Sequence, residues 1–307
     1  MHKGLALLKL NQMKKIAVIG AGTMGNGIAH VFARYGYQVQ LTDISTKTLE
    51  QGLQTISRNL DRMMAKEVLS ADDVKSTLGN ISIGTDLKEA VSQADLVVEA
   101  APEDLGVKIR IFKDLDKLCG DETILATNTS SISVTALAAV TKRPGQVIGM
   151  HFMNPVPLMP LVEIIRGYNT ADKVTEKVVK TAEKLGKIPV IVNDYPGFVA
   201  NRILMPMINE AIECLHQGVA GVREIDAVMK LGMAHPMGPL QLADFIGLDV
   251  CLSIMKVLFN GFGNPKYAPS PLLINMVTAG KLGVKSGEGF YDYSESRKAE
   301  KVSPQFS

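Results

Sequence analysis

The chain has 307 residues, 46% of them apolar and 21% charged, with a formal net charge of +2. That size allows two domains with real cores, and the near-balanced charge excludes the basic stripe of a nucleic-acid binder. No apolar run reaches the roughly 18 residues of a membrane helix, and Cys119, Cys214 and Cys251 are too far apart for a metal site, as small core thiols of a reducing, cytoplasmic compartment would be.

Residues 1–12 precede the first strand. They carry a short apolar patch but neither a signal-peptide cleavage pattern nor the arginines of a transit peptide, so they read as an extension. From Met13 the chain becomes informative. Ile16 to Ile19 form a β-branched strand that runs into Gly20-Ala21-Gly22-Thr23-Met24-Gly25, with a helical stretch from Ile28 to Tyr35 behind it. Asp43 stands 18 positions past Gly25, just after a second apolar run. Strand, G-x-G-x-x-G, helix and carboxylate together form a dinucleotide fingerprint of Rossmann type. Gly20 permits the tight turn, Gly22 the close approach of the pyrophosphate, and Gly25 the helix–strand packing. The helix start turns its open N–H groups to the phosphates. Asp43 accepts hydrogen bonds from the adenosine ribose and repels a 2′-phosphate, which favours NAD over NADP. Its plainer role is to N-cap the next helix.

Further strands are expected at 38–42, 81–84, 95–99, 123–127, 147–151, 161–165 and 189–192, alternating with helices in the rhythm of a mostly parallel sheet. Between Thr46 and Leu78 no strand appears. Two helices joined near Ser70 are expected there, the first rich in polar and basic residues from Gln51 to Lys66. A crossover needs only one helix of about a dozen residues, so this excursion at 46–78 contacts something besides the dinucleotide. Pro196-Gly197 ends the alternation. Helices are then expected at Phe198–Gln217, Val222–Leu231, Leu240–Phe259 and Pro271–Ala279. The fold class is therefore α/β: a Rossmann-type, mostly parallel sheet domain over 13–196, then an all-helical C-terminal domain over 197–307. The many Met, Leu and Ile residues of these helices point to a homodimer, with ordinary core packing as the alternative.

A dehydrogenase that oxidises an alcohol needs a base for the hydroxyl proton, and histidine suits that task near neutral pH. Of His2, His30, His151, His216 and His235, only His151 falls at the carboxyl end of a strand, where open α/β sheets place their ligand crevice. Glu163 follows twelve positions later inside the apolar run Leu161 to Ile165, where a charge must be paired. Met153 to Pro160 is stiff, turn-forming chain that can return the backbone beside itself, so Glu163 can hold one imidazole nitrogen of His151 and leave the other basic. The alternative is a strand-end histidine and an edge-facing glutamate. Asn128 to Ser131 follow the strand at 123–127, also at a carboxyl edge. Asn201 lies one turn into the first helix after the boundary, so it can face the cleft between the domains. Either could hold the substrate oxygen. Read alone, Ser130 is a helix N-cap and Asn201 an ordinary interhelix partner.

These stretches occur in an order that resembles the 3-hydroxyacyl-CoA dehydrogenase family, most closely its bacterial four-carbon members. The match runs from Met13 to about Tyr293. It rests on the glycine loop, Asn128 to Ile132, His151 to Pro157, Leu161 to Glu163, Pro196 to Arg202, His235 to Pro239 and Gly287 to Tyr291. The resemblance implies His151 as catalytic base and Glu163 as its orienting partner. It assigns Ser130 and Asn201 to the substrate's 3-oxygen, Asn154 to support of the site, and Asn128 and Ser130 to the cofactor as well. Glu103 and Lys108 match positions lining the nicotinamide-ribose region. Arg62 and Lys66 match basic positions that bind coenzyme A phosphates, although alone they read as solvated charges four apart on a helix. Met153 stands where the family commonly has Phe, His30 where it commonly has Gln, and residues 1–12 are an unusual addition; none removes a catalytic group.

The implied activity is NAD-linked interconversion of an L-3-hydroxyacyl-CoA and a 3-oxoacyl-CoA, the pair 3-hydroxybutyryl-CoA and acetoacetyl-CoA. The partners expected are an acyl-CoA and a second copy of the chain, with no metal, nucleic acid or membrane. The β-hydroxyacid dehydrogenases share the glycine pattern but use a lysine on the second domain, and no lysine occurs from Phe198 to Gln217. A different class is a dehydrogenase-like scaffold that keeps NAD for a structural role.

Overall fold

The computed structural model describes residues 13–307; the extension at 1–12 lies outside the described residues. These fall into two compact units that part between Asp194 and Tyr195.

The first unit is built on one eight-stranded sheet. In chain order its strands are β1 (Lys15–Ile19), β2 (Gln38–Thr42), β3 (Ile81–Gly84), β4 (Leu96–Glu99), β5 (Ile124–Thr127), β6 (Val147–Phe152), β7 (Leu161–Arg166) and β8 (Ile188–Asn193). In space the order is β3-β2-β1-β4-β5-β6-β7-β8. Every neighbouring pair is parallel except β6 and β7, which are antiparallel. Strands β4, β5 and β6 are buried along their whole length, as near-continuous apolar runs demand. The edges β3 and β8 are largely open, and β8 carries Pro189, a residue suited to an edge.

Seven helices belong to this unit: α1 (Thr23–Arg34), α2 (Thr46–Ala65), α3 (Ala71–Gly79), α4 (Leu87–Val91), α5 (Leu105–Leu118), α6 (Val134–Ala138) and α7 (Asp172–Lys184). The excursion after β2 is the pair α2 and α3. Ser70 caps α3 through a reciprocal capping box with Asp73. The apolar stripe of α2 (Leu49, Ile56 and Leu60) packs into the core that also holds Ile28 and Phe32 of α1.

Helix α1 also buries a polar side chain on its core face. His30 on α1 is 1% exposed, and neither ring nitrogen has a hydrogen-bond partner. Burial, with Arg34 and Lys187 nearby, lowers its pKa from 6.5 to about 4. The unfolded chain therefore takes up this proton near pH 6.5 and the folded protein only near pH 4. Stability from this site is complete above the unfolded value and drains away as the pH falls through that window. Relative to His30→Met, the parent protein should lose about 2–3 kcal/mol more between about pH 7 and about pH 4.5 in denaturant unfolding. Parallel losses in the two proteins would refute this account of His30.

The second unit is helical: α8 (Ala200–His216), α9 (Val222–Ala227), α10 (Pro239–Ile246), α11 (Leu248–Phe262) and α12 (Pro271–Thr278). Leu240–Phe259, expected as one helix, is two. Gly247 adopts φ 103° between them, a conformation open to glycine that no helix can continue through. A short ribbon, β9 (Tyr291–Asp292) with β10 (Lys301–Val302), is added to the helices. Two buried carboxylates tie the unit together. Leu240 and Gln241 N–H and the Tyr291 hydroxyl donate to Asp226. Phe290 and Tyr291 N–H and the Tyr293 hydroxyl donate to Asp244. The motifs around Pro239 and Gly287–Tyr291 thus serve architecture. Cys119 and Cys251 are buried, and burial pushes their thiols up to about 11 and about 12, which makes them inert packing groups.

Candidate active site

The glycine loop leaves β1 and enters α1. Gly20 has φ 94°, and a Cβ on Gly25 would sit 1.7 Å from the Gly20 carbonyl oxygen. Helix and strand therefore touch backbone to backbone. A Cβ on Gly22, by contrast, would meet nothing within 4 Å, so the loop is open on its outer side. Gly22 is the N-cap of α1, no side chain caps the first turn, and no acid lies in it. The opening N–H groups of Thr23, Met24 and Gly25 and the positive end of the helix remain available to an anion. This cradle fits a pyrophosphate.

Asp43 ends β2 as expected but does not cap α2. Ser45 does, its hydroxyl accepting from Thr48 N–H. Asp43 instead accepts from Ala21 N–H at 2.9 Å and Ser45 N–H at 3.0 Å, and so holds the glycine loop against the end of β2. Each carboxylate oxygen retains acceptor capacity for a ribose hydroxyl.

Across the sheet the antiparallel reversal sets the second group of residues. His151 on β6 and Glu163 on β7 are direct register partners, and His151 Nδ1 lies 2.8 Å from Glu163 Oε2. Both residues are buried, at 8% and 2% exposure. Facing residues on neighbouring strands stand close enough for side chains to meet. The connecting loop is pinned by Lys187, whose Nζ donates to the carbonyls of Val156 at 2.6 Å and Met159 at 2.7 Å. Asn154 is exposed on this loop. Asn128, at the end of β5, accepts from Phe152 N–H at 2.9 Å, which ties the neighbouring loop to β6.

The Thr129–Ser131 loop gathers on Glu103. Its Oε1 accepts from the Thr129 hydroxyl at 2.6 Å and from Ser130 and Ser131 N–H, each at 3.0 Å. Burial pushes the Glu103 carboxyl up, but the Thr129 hydroxyl, Lys108 and the Ser131 and Ser130 donors outweigh it and hold it below the usual carboxylate range. Ser130 is not a helix cap; Ser133 caps α6. Lys108 is 1% exposed and reaches Glu99, a buried carboxylate that sequence reasoning passed over. The signal was present, since Glu99 closes the apolar run Leu96-Val97-Val98 just as Glu163 interrupts its own. Lys187 carried no such signal, because its partners are backbone carbonyls.

Arg62 lies in the last turn of α2 and Lys66 caps its end; both are exposed. In the second unit Asn201 sits in the first turn of α8, 9% exposed. Among the described residues no cluster of acids, His or Cys suits a metal ion, and no helix is long and apolar enough to cross a membrane. A polar groove of about 490 Å³ lined by Gln38, Gln40, Asn80 and Ser82 contains none of the candidate residues. It marks an uncovered patch near the β3 edge.

Residues 15–195 match the family described as 3-hydroxyacyl-CoA dehydrogenase, NAD binding domain, and residues 197–293 match its C-terminal domain. The chain is 55% identical over 284 residues to a probable 3-hydroxybutyryl-CoA dehydrogenase of Bacillus subtilis, covering 92% of this chain and 99% of that one. It is 52% identical to a 3-hydroxybutyryl-CoA dehydrogenase of Bradyrhizobium diazoefficiens, with 92% and 96% covered. The crystal structure of (S)-3-hydroxybutyryl-CoA dehydrogenase from Ralstonia eutropha superposes with a TM-score of 0.90 at 48% identity, covering 92% of this chain and all of that one.

Proposed function

Because the chain belongs to the 3-hydroxyacyl-CoA dehydrogenase family and is an NAD-dependent dehydrogenase, we propose that it interconverts L-3-hydroxybutyryl-CoA and acetoacetyl-CoA with His151 as the acid–base group. The observation that carries the reading is the buried 2.8 Å contact between His151 Nδ1 and Glu163 across β6 and β7. The carboxylate keeps a proton on Nδ1, so Nε2 presents its lone pair. Nε2 takes the proton of the substrate's 3-hydroxyl in oxidation, and Glu163 stabilises the imidazolium that forms. In reduction Nε2 returns the proton to the 3-oxygen. NAD, when bound, supplies the nicotinamide that accepts or donates the hydride. The glycine loop, Thr23, Met24 and Asp43 hold its phosphates and adenosine ribose, and Asn128, Glu103 and Lys108 serve its nicotinamide end. The resemblance assigns the 3-oxygen to Ser130 and Asn201, supported by Asn154, and this assignment is part of the proposal. Arg62 and Lys66, two exposed cations at the end of α2, suit the phosphates of coenzyme A.

The second unit exposes Ile203, Val228, Leu231, Met233 and Phe245, and an apolar groove of about 400 Å³ runs between Met207, Cys214, Val228 and Met229. Apolar surface of this kind supports a homodimer. The three free thiols suit the cytoplasm.

Following NADH consumption with acetoacetyl-CoA tests the activity, with six- and ten-carbon 3-oxoacyl-CoAs and NADPH as comparisons. We expect kcat/KM to be highest for the four-carbon substrate with NADH. Binding of NADH without turnover of any 3-oxoacyl-CoA would favour the scaffold reading.

A further inference from the structure

A second charged relay lies two strands away from the histidine, across β5, and its innermost member has no role in the function proposed above. Glu99, the last residue of β4, is fully buried. Its Oε1 accepts from Lys108 Nζ at 2.7 Å and from Ala101 N–H at 2.7 Å. Its Oε2 accepts from the Thr127 hydroxyl at 2.7 Å. Lys108 Nζ also donates to the Ala101 carbonyl at 3.2 Å and stands 3.5 Å from Glu103 Oε2. Glu103 in turn uses its other oxygen for the Thr129–Ser131 loop.

We propose that Glu99 is a positioning residue for the nicotinamide end of the cofactor site, acting through Lys108 to hold Glu103 and hence the Thr129–Ser131 loop. The argument is one of charge and direction. Lys108 is almost wholly buried, and a buried ammonium needs partners that offset its lost hydration; here two carboxylates, Glu99 and Glu103, stand within 2.7 Å and 3.5 Å of it. Glu99 supplies its charge from the end of β4 and holds the ammonium beside Glu103, which lies just ahead of α5. Glu103 is part exposed, and among the described residues Lys108 is the cation within ion-pair distance of it. Without Lys108 its Oε2 has no reason to stay inward, and the loop loses the acceptor that gathers its hydroxyls and N–H groups. Neither Glu99 nor Lys108 need touch the cofactor for this effect. The inference rests on the reading that Glu103 and the Ser130 loop serve the nicotinamide ribose.

The test combines direct NADH binding, by fluorescence titration of the whole protein, with steady-state kinetics. Glu103→Gln and Glu99→Gln should each raise the NADH dissociation constant about tenfold, the scale of one lost charge-assisted hydrogen bond. The two changes together should do no more than Glu103→Gln alone, because they break one chain of contacts. KM for acetoacetyl-CoA should rise less than the NADH dissociation constant in each, because the substrate meets this loop through Ser130 alone. Glu99→Gln also strands a buried ammonium, so the paired substitution Glu99→Met with Lys108→Met provides a variant without buried charge, which is often as stable as the ion pair. That variant should melt close to the parent temperature and still bind NADH about tenfold more weakly. Parent-like NADH affinity in the paired variant, or a change confined to KM for the acyl-CoA, overturns the inference. If Glu103→Gln weakens NADH binding and Glu99→Gln does not, the inference alone fails. If Glu103→Gln has no effect, the underlying reading of Glu103 fails with it.

Discussion

Replacing His151 with Gln is expected to lower kcat by three to four powers of ten, about the scale of a lost general base in a site whose other parts survive, and to leave the NADH dissociation constant within about twofold. The change is confined because His151 lies on β6, three strands along the sheet from the glycine loop of β1. Gln approximates the ring's length and keeps a polar contact with Glu163, so β6 and β7 retain their pairing. What it cannot do is accept a proton at neutral pH. Stopped-flow and steady-state rates with acetoacetyl-CoA, set beside fluorescence titration of NADH, provide the check. A kcat within tenfold of the parent would remove His151 from the chemistry and the proposed reaction with it.

Glu163→Gln should cost about a thousandfold in kcat without unfolding the protein, a loss of the kind seen when a histidine's carboxylate partner becomes an amide. A glutamine side chain can offer its NH2 to Nδ1, which places the ring proton on Nε2 and turns the base into a donor of the wrong polarity. It also withdraws the negative charge that stabilises an imidazolium in a buried pocket, where both side chains are almost inaccessible. The variant combining His151→Gln and Glu163→Gln should be no slower than His151→Gln alone, because residues acting as one unit are not additive. Multiplying losses would mean that Glu163 contributes through some other route, and an unchanged kcat for Glu163→Gln would dismiss the pair as mere packing.

Much of the scaffold could be read from residue order. Each of the eight strands of the sheet lies within a residue or two of its expected place, because buried parallel strands are short β-branched runs between turn residues. The pairing of His151 with Glu163 was legible for a similar reason, since a glutamate amid Leu161 to Ile165 demands a partner and the stiff chain before it supplies a reversal. Capping was harder. Asp43 and Ser45 are both good caps, and only the backbone path decides that Ser45 takes the helix while Asp43 turns to Ala21. The single helix expected over Leu240–Phe259 failed at Gly247, whose neighbours continue the apolar period on both sides and hide the break. Lys187 was invisible, because a cation beside a strand discloses nothing of which carbonyls will fold over it.

The antiparallel step between β6 and β7 has a consequence for what the site tolerates. Side chains alternate faces along a strand, so sliding β7 by one residue would set Val162 or Ile164 opposite His151 and swing the carboxylate to the far side of the sheet. The proposed proton chemistry is therefore indexed to the pleat. On the proposed reaction, the phase of this ladder is as much a requirement as the identity of the two residues it brings together.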